Sequence, residues 1–428
     1  MKKLCIFILI IAGWQFLVPE TGHSIPAFAR KYGYNCNMCH TSFTKLNDYG
    51  QRIRDNGYQL PGQEGGEKNV FDTPPPIAIR TTTGISVYNV DKGTTTGFDI
   101  MGLDLLAAGV LHKNISFMFI YTPRIDEPAA DFSGPGNGTN PSQLGALESA
   151  NLVFSNIVPG ALNLRVGRFE PAYHPISSKR SYYISEPYEI YTFTSPSDTL
   201  LPSNNFIFDD NQLGVEMTGH FRNGFKYGAG VVNGNGANPD NNTNKDFYLN
   251  LFQTFGKGDG QSAGQRIGAF AYYGWQPTSI PSPSDFVVAP TGEANCSCNK
   301  PFYRLGGDVS LNWKTFNLQA LFMQGMDDKA LNVFDTNKDY KFSGGFAELD
   351  WSGLWNNRLL ASVLFNMVQP PSYDDSRTIK AYSALLRYYL GDWTAVNIAL
   401  HAEFTHRETG KDDPFKENIF TALLDFDF

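Results

Sequence analysis

From about residue 75 to its last residue, Phe428, the chain repeats one pattern: short runs of alternating apolar and polar side chains, separated by turn residues. A period of two puts every second side chain on one face of a β-strand. Along 302–313, Tyr303, Leu305, Val309, Leu311 and Trp313 share a face, while Arg304, Asp308, Ser310 and Asn312 share the other. Along 394–405, Val396, Ile398, Leu400, Ala402 and Phe404 oppose Asn397, His401 and Glu403. In the last run, Phe420, Ala422, Leu424, Phe426 and Phe428 oppose Thr421, Asp425 and Asp427. Strands of this kind pair face to face in a soluble sandwich, or close into a barrel whose apolar face meets lipid.

Three features favour the barrel. About sixteen such runs occur, an even number within the range of outer-membrane barrels. Their connections alternate in length. Short ones fall at His112-Lys113-Asn114, Pro159-Gly160, Arg222-Asn223-Gly224, Lys314-Thr315, Asn356-Asn357 and Gly391-Asp392. Long ones fall at 125–147, 171–210, 234–245, 277–301, 328–340 and 408–417. Short periplasmic turns and long outer loops are the expected asymmetry. The terminal Phe428 is of the kind that outer-membrane assembly recognises, and Tyr121, Tyr272, Tyr273, Trp275, Trp313, Trp351, Trp355 and Trp393 sit at strand ends, where aromatic girdles are expected to form. A mean hydropathy of −0.28 does not oppose a membrane location, because only alternate residues of a barrel face lipid. The predicted architecture is all-β: a transmembrane antiparallel β-barrel of about sixteen strands over 75–428, in contact with outer-membrane lipid.

The N-terminus differs in character. Two lysines precede an apolar run from Leu4 to Val18, and small residues follow at Gly22 and Ser24. This order predicts a cleaved signal peptide over 1–24; the run is shorter than the ~20 apolar residues of a membrane-spanning helix. The leader carries Lys2, Lys3 and Glu20, so its removal leaves the mature chain more acidic than the formal net charge of −8. An acidic chain has no electrostatic footprint for nucleic acid.

Cys36-Asn37-Met38-Cys39-His40 comes next. C-x-x-C-H is the attachment signature of a c-type haem: two thiols bond the porphyrin edge as thioethers, and the following residue, His40, reaches the iron as proximal ligand. C-x-x-C also serves zinc and thiol redox chemistry. Zinc would need two further ligands, and 41–75 contains no Cys or His; a thiol redox motif would follow a strand in a βαβ unit, and none is visible. A single covalent haem c would be a one-electron centre. Behind the motif, Phe43, Leu46, Tyr49 and Ile53 recur at helical spacing, and Asn56-Gly57 ends the pattern. The Gly-rich stretch 61–68 and Pro74-Pro75-Pro76 form a linker. The segment 25–74 is too short for a comfortable core of its own. It is therefore expected to plug the barrel mouth from the periplasmic side, where both ends of an even-stranded barrel lie.

The pattern IPAFARKYGYNCNMCH, then LNDYGQRIRDNGYQL, then a porin-like barrel resembles the fused outer-membrane monohaem cytochrome–porin proteins. These are best known from iron-oxidising bacteria, with relatives in other bacteria that exchange electrons across the envelope. The resemblance is sharp over 25–60 and architectural beyond. It implies one haem in or under a barrel of about sixteen strands, bound covalently by Cys36 and Cys39 with His40 on the iron, passing electrons across the outer membrane. Its partners would be periplasmic cytochromes or other electron carriers, and an extracellular electron donor or acceptor such as iron. The chain would be an electron carrier first, and a ferrous-iron oxidising cytochrome if iron is the donor. The competing reading is a diffusion porin whose haem plug is structural or senses redox state. A conduit predicts a blocked lumen; a porin predicts solute conductance with the haem intact.

The distal iron ligand is open, because no His or Met lies in 41–100. Parity turns His220 into the lumen with Glu216 and Thr218, Met118 with Ser116 and Thr122, and His401 nearer mid-membrane. His112, at a turn, and His174 are further candidates. A lipid band about 25 Å tall must be crossed, so the haem is expected inside the lumen with loops folded inward. The loop 171–210 is the candidate, with Tyr173, His174, Tyr182, Tyr183, Tyr188 and Tyr191. Inward charges are mixed: Arg165, Glu216, Arg304, Asp308, Glu403, Arg407 and Asp425. Elsewhere, Cys296-Ser297-Cys298 is too closely spaced for an unstrained disulfide. Residues 335–339 resemble the start of a calcium loop but lack its Gly and Glu.

Overall fold

Along the strand Asn299–Trp313, Arg304, Asp308 and Ser310 are buried while Leu305, Leu311 and Trp313 are exposed, as the alternation requires. The computed structural model describes residues 38–42, 45–66, 69–70, 77–90, 93–123, 146–173, 176–184, 187–196, 204–236, 240–256, 265–277, 299–332, 334–335, 337–354, 358–393 and 396–427. Among them, sixteen strands from Ile77–Val90 to Phe415–Asp427 pair antiparallel in chain order. The last strand then pairs with the first, Glu417 opposite Val90 and Asp427 opposite Arg80, and the barrel closes. The expected strand number and closure are thus present. The predicted leader, the linker prolines and Phe428 lie outside the described residues.

The connections follow the expected asymmetry with three corrections. Gly391 and Asp392 are not a turn: they pair with Ile398 and Asn397 inside the ladder, which slips register between Tyr389 and Gly391 and runs on to Trp393. A bulge absorbs the irregularity that those turn-forming residues signal. The connection 256–264, which the turn residues did not reveal, joins Asp246–Phe255 to Gln265–Pro277 at the short-turn end and is longer than its neighbours. At the opposite end the connection 91–92 is short, because the strands Ile77–Val90 and Gly93–His112 pair as a hairpin out to Val90 opposite Gly93. Both ends of the barrel sequence fall at the short-turn end.

Aromatics gather in two bands outside the wall, but Tyr272, expected in a girdle, points inward by strand alternation and is buried in the lumen, its hydroxyl donating to Asp246 at 2.6 Å. Trp313 stacks on Phe316 at 5.9 Å and Phe316 on Trp351 at 6.4 Å beside the short turns. Near the long loops, Tyr273 meets Trp275 at 4.8 Å and Phe247 meets it at 6.2 Å. Rings with an apolar body and a polar tip suit the two interfaces of a lipid band.

The segment before the barrel folds around one helix, Asp48–Asp55. Its start is set by Asn47, whose side chain accepts the Gly50 N–H at 2.9 Å and caps the first turn. The helical spacing therefore does not extend back to Leu46. Lys45 and Leu46 instead pair with His40–Ser42 in a two-stranded hairpin, while Phe43 lies outside the described residues. At the other end Gly57 and Tyr58 adopt φ of +66° and +63°, which turns the chain out of the helix.

Candidate functional site in the barrel lumen

Met38, Cys39 and His40 are held against the start of the helix. Asn47 donates its backbone N–H to the Cys39 carbonyl at 2.9 Å and its side-chain amide to the Met38 carbonyl at 3.0 Å. A Cβ on Gly50 would stand 2.1 Å from the Cys39 oxygen, so only glycine permits this approach. Cys36 lies outside the described residues. What is described fits a haem-attachment site: the motif backbone is fixed in place, and it presents a thiol and an imidazole, the donor types that thioether attachment and iron ligation use.

Side chains of this segment reach the inner wall near the short turns. Lys45 Nζ lies 2.6 Å from Glu348 Oε1 and 2.6 Å from Asp350 Oδ2, on the strand Tyr340–Leu354. Burial by itself would lower the pKa of Lys45, but the two carboxylates outweigh it and hold the ammonium above its ordinary value. At the far end of the helix, Asp55 meets His220 Nε2 at 2.7 Å and Arg165 Nη2 at 3.3 Å. Burial pushes the Asp55 carboxyl up, yet the His220 hydrogen bond and the charges of His220, Arg54 and Arg165 bring it well below the usual carboxylate range. Arg54 bonds Glu170, Asp48 pairs with Lys226, and Gln59 donates to Ser116 at 3.3 Å and Ser155 at 3.2 Å.

The connection 170–211 folds inward above this segment, as its aromatics led us to expect. Tyr173, Tyr182, Tyr183, Tyr188 and Tyr191 are all buried. Tyr188 stacks on Phe346 at 3.9 Å and donates its hydroxyl to Glu348 Oε2 at 2.7 Å, so one carboxylate receives both the plug lysine and a loop tyrosine. Tyr173 meets Tyr248 at 4.9 Å and Tyr272 at 5.1 Å, edge to face. Lys45 lies 4.6 Å over the Tyr182 ring, and the Ile184 N–H donates to Glu403 Oε2 at 2.9 Å. Loop and wall share one aromatic core across the lumen.

The distal-ligand candidates occupy separate places. His220 faces inward at the C-terminal end of the helix. Met118 lies on the face of Ser116, which Gln59 reaches. His401 is buried, with Nε2 3.0 Å from Glu403 Oε2. The Nδ1 atoms of His220 and His401 are buried and have no hydrogen-bond partner among the described residues. His112 is exposed, and His174 lies outside the described residues. Lys45, Glu348, Asp350, Asp55 and Glu170 were not singled out from the sequence. The alternation of Glu348 and Asp350 with Ala347 and Leu349 was the available signal.

Among the described residues no group of three or more His, Cys, Asp or Glu is placed to hold a metal ion. The calcium-like stretch is internally tied, Lys338 Nζ lying 3.3 Å from Asp335 and the Asn337 N–H donating to it at 3.0 Å. Cys296 and Cys298 lie outside the described residues.

No protein-family profile matches the chain, and no curated protein sequence does. Solved structures do match. The anion-selective porin from Comamonas acidovorans aligns with a TM-score of 0.51 at 11% identity, over 83% of this chain and 100% of that one. Salmonella typhi OmpF in complex with daunomycin aligns with a TM-score of 0.51 at 10% identity, over 84% of this chain and 100% of that one. At such identity the likeness defines the fold: this is a porin-type, closed, sixteen-stranded β-barrel.

Proposed function

We propose that the chain is an electron-transfer barrel of the bacterial outer membrane, exported by its leader, with one haem bound through Cys36, Cys39 and His40 and carried in the lumen. The observation that supports this most is the double filling of the lumen. The segment bearing the motif is docked inside by buried ion pairs, and the connection 170–211 packs an aromatic core above it. A freely permeable channel has no need of a docked plug segment. When bound, the haem supplies a one-electron centre. The chain's own residues do the rest. Asn47 and Gly50 fix the motif, Lys45 and Asp55 fix its place in the lumen, and the loop tyrosines exclude water. Ferrous iron outside is one donor that suits this arrangement, each ion losing one electron that a periplasmic carrier gains.

A second reading, a diffusion porin with a structural or redox-sensing haem plug, is supported by the fold comparisons, which are with porins. One experiment separates them. The purified protein is placed in liposomes loaded with an oxidised cytochrome, ferrous iron is added outside, and Cys39→Ala serves as control. Haem-dependent reduction inside is the expected result. Solute leakage with no response to impermeant donors would favour the porin.

A further inference from the structure

We propose that His401 is the second axial ligand of the haem, with Glu403 as its positioning residue; this rests on the reading of Cys36, Cys39 and His40 as the attachment site. His401 is fully buried, one ring nitrogen is held by Glu403 at 3.0 Å, and the other has no hydrogen-bond partner among the described residues. A buried unpartnered nitrogen is costly unless something accepts it. An imidazole held by a carboxylate on one nitrogen and open on the other is the arrangement of a metal-ligating histidine.

His220 shows the same pattern, so position decides. Its carboxylate partner, Asp55, lies at the C-terminal end of the helix, and Lys226, opposite His220 in the wall, takes Asp48 from the helix start, so His220 is committed to docking the segment. Met118 belongs to the sector that Gln59 reaches, beyond that same helix end. His401 lies in the sector of the hairpin that carries His40. That hairpin docks through Lys45 on Asp350. Asp350 is opposite Ser362, Ser362 is opposite Leu385, and Leu385 is opposite Glu403, so the dock and Glu403 share one rung of the wall. The loop bridges the same sector, from Tyr182 under Lys45 to Ile184 on Glu403. His401 sits one inward step nearer the short turns, on the plug side of the loop.

The test uses the purified full-length haem-loaded protein. Haem staining after denaturing electrophoresis establishes covalent attachment, heat-modifiable migration establishes barrel folding, and electron paramagnetic resonance reports the iron spin state. We expect low-spin ferric iron in the parent, loss of the low-spin signal in His401→Ala with recovery on adding imidazole, and no change in His112→Ala, at an exposed position. His401→Met should keep the iron low-spin and shift the potential upward, as a His/Met pair does. Glu403→Gln should stay low-spin with an upward shift, because an amide withdraws the negative partner from the imidazole. A high-spin parent, or a folded His401→Ala that stays low-spin with an unshifted potential in Glu403→Gln, overturns the assignment. Absence of covalent haem in the parent would instead overturn the attachment site, and the ligand with it.

Discussion

Lys45 and Glu348 are 303 residues apart in sequence and 2.6 Å apart in space. This contact ties the segment before the barrel to the inner wall, and Asp350 completes it from the same strand at 2.6 Å. Both carboxylates are buried, so they depend on the lysine for charge compensation.

Replacing Lys45 by Ala should therefore cost about 3–5 kcal/mol, the usual penalty for removing one partner of a buried ion pair. Thermal unfolding of the purified barrel checks the magnitude. The triple change Lys45→Met, Glu348→Gln and Asp350→Asn should recover most of the loss, because no buried charge is then left alone. Equal loss in both variants would show that the lysine acts through packing only.

The docking contributions of Asp55 and Lys45 should be lost at opposite extremes of pH. The Asp55 carboxyl is held below its ordinary value of 3.8, so its contribution is present above that value and is lost as the pH falls through the lower folded value. The Lys45 ammonium is held above 10.5, so its contribution is complete below that value and is lost as the pH rises through the folded one. A Gln63→Trp reporter on the exposed stretch after the helix, followed by fluorescence anisotropy, should lose anisotropy as the pH falls through the Asp55 value. In Asp55→Asn the acid limb should vanish; an unchanged acid limb would remove Asp55 from the latch.

Gly50→Ala places a methyl group where the Cys39 carbonyl stands, 2.1 Å away. We expect a destabilisation of about 1–3 kcal/mol, as for overpacked sites, concentrated in the motif. Haem per barrel should fall while heat-modifiable migration of the barrel is kept. Full haem content in a folded Gly50→Ala would show that the motif does not need this clamp.

Tyr188 and Tyr191 together fill the gap between the inward loop and Phe346. Their joint replacement by Ala should open the lumen, each truncation of a buried aromatic costing about 3–5 kcal/mol. Planar-bilayer recording should give low conductance for the parent and a marked rise for the double variant. High conductance in the parent would support the diffusion-porin reading.

Much of the wall was legible from alternation alone. Arg304 against Leu305, and His401 against Leu400, face as parity places them, because one face of every strand must meet lipid and a one-residue slip would reverse it. Turn chemistry was less secure. Gly391 and Asp392 carry the residue types of a turn, but ladder pairing with Ile398 and Asn397 overrides them. The interior was legible only in outline. The tyrosines of 171–210 indicated an inward fold, since so many rings need a buried surface. Which wall residues would receive them was not, because Tyr188 and Glu348 are neighbours only once the barrel has closed. The same holds for Lys45: a lone lysine in a polar stretch reads as a solvated cation until the carboxylates of a distant strand surround it.

The seam between Ile77–Val90 and Phe415–Asp427 also sets an order of events. Its second strand follows every other described strand in the chain, so the ring is shut by residues younger than the docked segment. The docked segment can thus meet the wall while the wall is still an open sheet, and once the seam forms, Lys45 and Asp55 hold that segment inside a closed ring.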